Sequence, residues 1–190
     1  GSHQKPAADI LNFYKNQAEI VIPQTIDNNL YLIGADIHLS KVSDSGIDVI
    51  FNLKEGLDRM KNRYDYVIID CLPSFGYLNM AALKASDYVL VPTKPAPFSL
   101  EGLRDLFDSV EKAKKRFNPD LKIIGIVLNL VEGRKTIIGE EIEQVLRDKF
   151  GDLVFTTKIS RATAIEESPS EQKSIVEYSP ESKHADLFNQ

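Results

Sequence analysis

The chain has 190 residues, 43% hydrophobic and 27% charged, an ordinary mixture for a globular domain with a sizeable core. Its net charge of -5 excludes a surface built to coat nucleic acid everywhere, while leaving room for a local basic patch. A single cysteine, Cys71, rules out an intrachain disulfide, and no apolar run approaches the roughly 18 residues of a membrane span.

In chain order, Gly1, Ser2 and His3 read as a tag remnant, and residues 4–190 read as one α/β domain. The first residues lack the form of a signal peptide. Short β-branched runs at 19–22, 30–33, 66–69, 88–91, 122–128 and 154–159 predict strands. Several are apolar at consecutive positions, as in strands buried on both faces of a parallel sheet. Between them, residues 49–62, 99–117 and 137–150 place apolar residues at helical spacing, for example Leu100, Leu103, Leu106, Phe107, Val110 and Ala113. Ser99 is placed to cap the second helix, and Asn118-Pro119 and Gly151 to stop the second and third. The polar tail 166–182, with Pro169 and Pro180, predicts an ordered surface loop ending in a short helix. Strand and helix in alternation predict a doubly wound, mostly parallel sheet flanked by helices.

In such sheets ligands bind at the carboxyl ends of the strands. Residues 66–69 deliver Asp70 there, where a nucleotide hydrolase holds magnesium through a water. A helix cap or plain loop acid is the alternative for Asp70. The turn-rich 71–76 that follows is where a γ-phosphate sensor would sit. Asn129 ends the 122–128 run and is placed to cap the loop 130–133 that follows. His3, His38 and His184 are scattered, without cysteine neighbours, so a zinc site is not expected.

Residues 64–74, Tyr-Asp-Tyr-Val-Ile-Ile-Asp-Cys-Leu-Pro-Ser, resemble the YDYIIIDCPPS of ParA/Soj-type partition ATPases of the MinD/ParA superfamily. The likeness continues in family order at 79–92, 98–103 and 117–125. It continues with Ile159-Ser160-Arg161 (the family's IPR), Glu167-Ser168-Pro169-Ser170 (its EAPS) and 178–182 (its Y-P-S segment). The resemblance covers roughly residues 30–185 and implies the C-terminal two thirds of such a protein. It implies a P-loop NTPase-like fold without the N-terminal P-loop strand–helix unit. It assigns magnesium to Asp70 and nucleotide to Asp70, Pro73, Asn129, Ser160 and Arg161. It assigns non-specific DNA phosphate contacts to Arg134, Lys135, Lys158 and Arg161.

Leu72 departs from the first of the family's two prolines, and Ala164 from a second basic residue after IPR. The larger departure is that the 190 residues contain no lysine-bearing Gly-rich phosphate loop. The stretch Gly133-Arg134-Lys135-Thr136 is not one, because the earlier glycine it needs is Leu128. The run Lys112, Lys114, Lys115, Arg116 reads as a solvated helix end that complements the helix dipole, with a second DNA patch as the alternative.

The resemblance implies a cytoplasmic, nucleoid-associated switch in the full-length protein, with no membrane association. Magnesium-ATP closes a homodimer, the dimer binds DNA, and a ParB-like partner stimulates hydrolysis. The chain as given is expected to be inactive and to bind neither cofactor. The alternative is a head-less, non-catalytic interaction module. Septum-site relatives would need a C-terminal amphipathic membrane helix, and an iron–sulfur reductase would need more cysteines than Cys71.

Overall fold

In the computed structural model, the residues described are 10, 14, 23–35, 39, 41–42, 46–71, 76–133 and 136–189. They fall into two compact units, one within 1–87 and 109–121, the other within 88–108 and 122–190.

The second unit holds the parallel sheet. β3 (Tyr88–Thr93), β4 (Lys122–Val131) and β5 (Val154–Ser160) lie in the order β3-β4-β5, all parallel. Their apolar runs become strands because each finds a ladder partner, Val91 beside Ile126 and Ile126 beside Val154. One face of the sheet packs on α3 (Ser99–Arg116) and α4 (Ile137–Phe150). Val91, Ile126, Leu128 and Val154 meet Leu103, Ile142 and Leu146 there, with Ile126, Leu128 and Leu146 sealed from solvent. α4 begins where the Thr136 hydroxyl accepts the Gly139 N–H at 3.2 Å, and stops at Gly151 with φ 53°, as the glycine foretold. On the opposite face, a side chain at Gly125 of β4 would run into the Phe155 ring of β5. Leu90, in one of the runs read as buried on both faces, lies opposite Gly125 and is 51% exposed, because the helices cover the other face. The C-terminal stretch adds α5 (Thr163–Glu167), α6 (Ile175–Tyr178) and α7 (Lys183–Phe188). The predicted short terminal helix is α7, and a capping box at Ser174 and Glu177 starts α6.

The first unit holds β1 (Gln24–Asp27) and β2 (Leu30–Leu32), paired antiparallel, with α1 (Val49–Asp58) and α2 (Tyr77–Ala85). Leu30–Leu32 is thus a strand as expected, but in a hairpin. Asn28 and Asn29 make the turn, and Asn29 takes φ 64°, a conformation asparagine tolerates. The core gathers Tyr14, Val42, Val49, Leu53, Met60 and Ala81. Helix α2 was not among the three helical patterns. Its short alanine-rich sequence shows little amphipathic contrast, yet Ala81 and Ala82 are its buried positions. Asn118 locks its end by donating to the carbonyls of Leu83 at 2.9 Å and Ser86 at 2.7 Å.

The run 66–69 is not a strand. Residues 66–70 join no ladder among the described residues, and Tyr66 and Ile68 are 89% and 91% exposed. Apolar character alone does not make a strand, since a strand needs a neighbour for its N–H and C=O groups. The run 19–22 lies outside the described residues, as do Gly1, Ser2 and His3.

Candidate functional site

Parallel register brings the ends of three strands to one edge of the second unit. Thr93 lies beside Leu128, Leu128 beside Lys158, and Val131 beside Ser160, so Pro92, Asn129, Ser160 and Arg161 share the carboxyl edge. The Arg161 N–H donates to the Val131 carbonyl at 2.9 Å and carries the pairing one residue past β5.

Asn129 lies within the last part of β4, where the register with β5 shifts between Leu128 and Val131. Its Oδ1 accepts the N–H of Leu130 at 2.8 Å, and Leu130 takes φ 53°, a left-handed conformation that costs a branched residue about 1–2 kcal/mol. Its Nδ2 has no hydrogen-bond partner among the described residues. The side chain therefore caps the bend with one end and leaves a donor at the edge with the other.

The cations of this edge are paired. Arg161 Nε donates to Glu166 Oε1 at 2.7 Å, and that bond, then the charges of Glu166 and Glu132, raises the guanidinium above its ordinary value. Lys94, just after β3, reaches Glu132, just after β4, at 3.4 Å. Ser99 does not cap α3 through its side chain, because its hydroxyl turns back to the Lys94 carbonyl. Lys158 lies at 2.9 Å from Glu143 of α4, which also receives Arg147 Nε at 3.0 Å. Of the basic residues assigned to DNA, Lys158 and Arg161 thus each hold a carboxylate. Arg134 and Lys135 lie outside the described residues, as does the nucleotide candidate Pro73.

Burial works to raise the Glu143 carboxyl, but the bonds and charges of Lys158 and Arg147 outweigh it and hold it below its ordinary value. A depressed folded value means stabilisation that is full above the unfolded value, about 4.3, and is lost as pH falls through the folded one. Glu143→Gln is expected to lower stability at pH 7 by about 1 kcal/mol. The gap to the parent should narrow below about pH 4, measured as urea midpoints at pH 7 and pH 3. A gap that is equal at both would remove the charge from the explanation.

Asp70 belongs to the first unit and ends the exposed, unpaired segment. Cys71 beside it presents surface to solvent, yet crowding of its sulfur, then the Asp70 charge, push the thiol above its ordinary value. It is therefore no activated nucleophile. Burial, with Cys71 as a second cause, pushes the Tyr14 phenol up to about 12. Among the described residues no group of three or more His, Cys, Asp or Glu is arranged to hold a metal ion. A lone carboxylate acting through water nonetheless fits magnesium, which keeps most of its hydration shell. Among the described residues no helix is long and apolar enough to cross a membrane.

Sequence reasoning missed the partners Glu132, Glu143 and Glu166, and missed His184. The His184 Nε2 lies 3.1 Å from Ser160 Oγ, and the residue is 9% exposed. No spacing rule links positions 24 apart in sequence.

A three-stranded parallel sheet with polar residues along one carboxyl edge defines an α/β class of protein whose ligands bind at that edge. The chain belongs to the family described as AAA domain (AAA_31), which matches residues 3–123, and within it to the ParA/Soj type. It is 38% identical over 168 residues to the sporulation initiation inhibitor protein Soj of Bacillus subtilis, covering 88% of this chain and 63% of that protein. It is 33% identical over 186 residues to the chromosome partitioning protein ParA of Myxococcus xanthus, covering 98% of this chain and 62% of that protein. The chain thus spans less than two thirds of the length of these curated relatives. Its fold is similar to that of apo McdA of Cyanothece, with a TM-score of 0.86 at 18% identity, covering 100% of this chain and 78% of that one. Cobyrinic acid a,c-diamide synthase of Mycobacterium smegmatis, solved with bound ADP and magnesium, matches with a TM-score of 0.62 at 27% identity, covering 70% and 55%.

Proposed function

We propose that this chain supplies the base-binding edge and the magnesium aspartate of a ParA-type partition ATPase, cytoplasmic and nucleoid-associated. The observation that carries the reading is the alignment of Asn129, Ser160 and Arg161 along one carboxyl edge, in a chain whose relatives include Soj and ParA. When bound, magnesium-ATP supplies the transferable phosphoryl group. Asn129 offers its Nδ2 to an acceptor on the adenine edge, while its carbonyl stays bonded to Leu130. Ser160 and Arg161 flank the purine. Asp70 would hold magnesium through a water, and Pro73 is the further nucleotide-binding residue of this reading. Arg134, Lys135, Lys158 and Arg161 meet DNA phosphates, for which Lys158 and Arg161 must exchange Glu143 and Glu166 for the polyanion. A homodimer and a ParB-like partner complete the cycle.

Reading the gene upstream of residue 4 separates this from a head-less binding module. A lysine-bearing Gly-rich loop there favours the ATPase, and a start codon near Gln4 favours the module. In a protein extended by such a loop, Asn129→Ala is expected to weaken ATP binding about fivefold to tenfold, the worth of one hydrogen bond. Calorimetric titration checks it, and unchanged affinity would remove Asn129 from the base site.

A further inference from the structure

His184 is a buried polar residue that the proposed cycle does not use, yet it is held in place with care. The Ser182 hydroxyl accepts the Ala185 N–H at 3.1 Å and donates to the Ser179 carbonyl at 2.7 Å, which fixes the first turn of α7. Ala185 is sealed from solvent, and α7 packs against β5. The imidazole then sits with Nε2 3.1 Å from the hydroxyl of Ser160, the last residue of β5. The next residue, Arg161, is held to Val131 by a backbone hydrogen bond of 2.9 Å.

The triplet Ile159-Ser160-Arg161 carries serine where the IPR it resembles carries proline. A proline ring fixes φ covalently, whereas a serine leaves backbone and hydroxyl free to rotate at a strand end. The bond to His184 restores a restraint at that position, and it does so from the C-terminal helix.

We infer that His184 is a positioning residue for the base-binding edge. By holding Ser160, it keeps the backbone of Arg161 in register with Val131, so that α7 and the nucleotide-base edge are coupled through one side-chain bond. The inference rests on the nucleotide reading for its purpose, but not for its test. Amide hydrogen exchange is followed by NMR on the 190-residue chain. His184→Ala is expected to speed exchange of the Arg161 amide at least tenfold, while the Ile126 and Leu128 amides of β4 change less than twofold. His184→Gln, whose amide reaches about as far as Nε2, should return Arg161 to the parent rate. Ser160→Ala removes the same bond without touching α7 and should reproduce the loss, which keeps the test valid where His184→Ala fails to fold. An unchanged Arg161 rate in Ser160→Ala overturns the inference. So does an equal rise at Ile126 and Leu128, which signals general destabilisation. Adenine-nucleotide titration of an upstream-extended protein is a separate arm. No binding there, with Arg161 still responding to His184, sinks the proposed function and leaves the coupling in place.

Discussion

Given ATP and magnesium, the 190-residue chain is expected to release no phosphate above background and to bind ATP no more tightly than about 1 mM. Phosphoryl transfer is catalysed by positioning and by charge stabilisation, so the donors around the phosphates carry the rate. In a ParA-type site those donors are the loop amides, the loop lysine and a second lysine from the partner. The 190 residues contain no such loop. Loss of one such donor costs about 3–4 kcal/mol of transition-state stabilisation, and any plausible combination of several removes turnover. Of the proposed site, this chain carries Asp70 and the candidate base contacts Asn129, Ser160 and Arg161. A malachite-green assay over hours, with calorimetry for affinity, checks both parts. In an extended protein carrying the loop, Asp70→Ala should suppress magnesium-dependent turnover far more than metal-free ADP binding. Hydrolysis by the 190-residue chain that Asp70→Ala abolishes would mean the phosphate site is built from other residues.

How far the sequence foretold this arrangement differs from element to element. The runs beginning at Tyr88, Lys122 and Val154 were legible because they combine strand length with near-continuous β-branched character, and each found a parallel neighbour. α4 was legible to the residue from its apolar stripe and the Gly151 stop, whereas its Thr136 cap was not read in advance. The run before Asp70 looks the same in sequence as β3, yet it joins no ladder among the described residues. Pairing is a property of two segments, and one run cannot report it. The hairpin at Asn28-Asn29 shows the same limit, because Leu30–Leu32 reads as a strand without saying that its partner runs antiparallel. At the edge, β4 runs on to Val131 and takes in Asn129, which the sequence put just past its strand, while the places of Ser160 and Arg161 followed from the end of the last run. The pairing of Arg161 with Glu166, Lys158 with Glu143 and Ser160 with His184 did not, because those contacts arise only once helices pack on the sheet.

Leu128→Ala is expected to cost about 3 kcal/mol of stability, close to 10 °C in melting temperature for a chain of this length. Leu128 is fully buried in the β4 row, among Val91, Leu103, Ile142 and Leu146. Truncation there removes transfer energy and also leaves a cavity, because the strands on either side are held in register and cannot close on it. Leu90→Ala, on the next strand of the same sheet, is the matched comparison. Its side chain lies on the opposite face and is 51% exposed, so the same truncation forfeits partial burial alone, about 1 kcal/mol or less. Urea midpoints for the two variants, read with equal slopes, give the contrast. Equal losses at Leu90 and Leu128 would mean that in solution the face bearing Leu90, Gly125 and Phe155 is covered as closely as the one beneath α3 and α4.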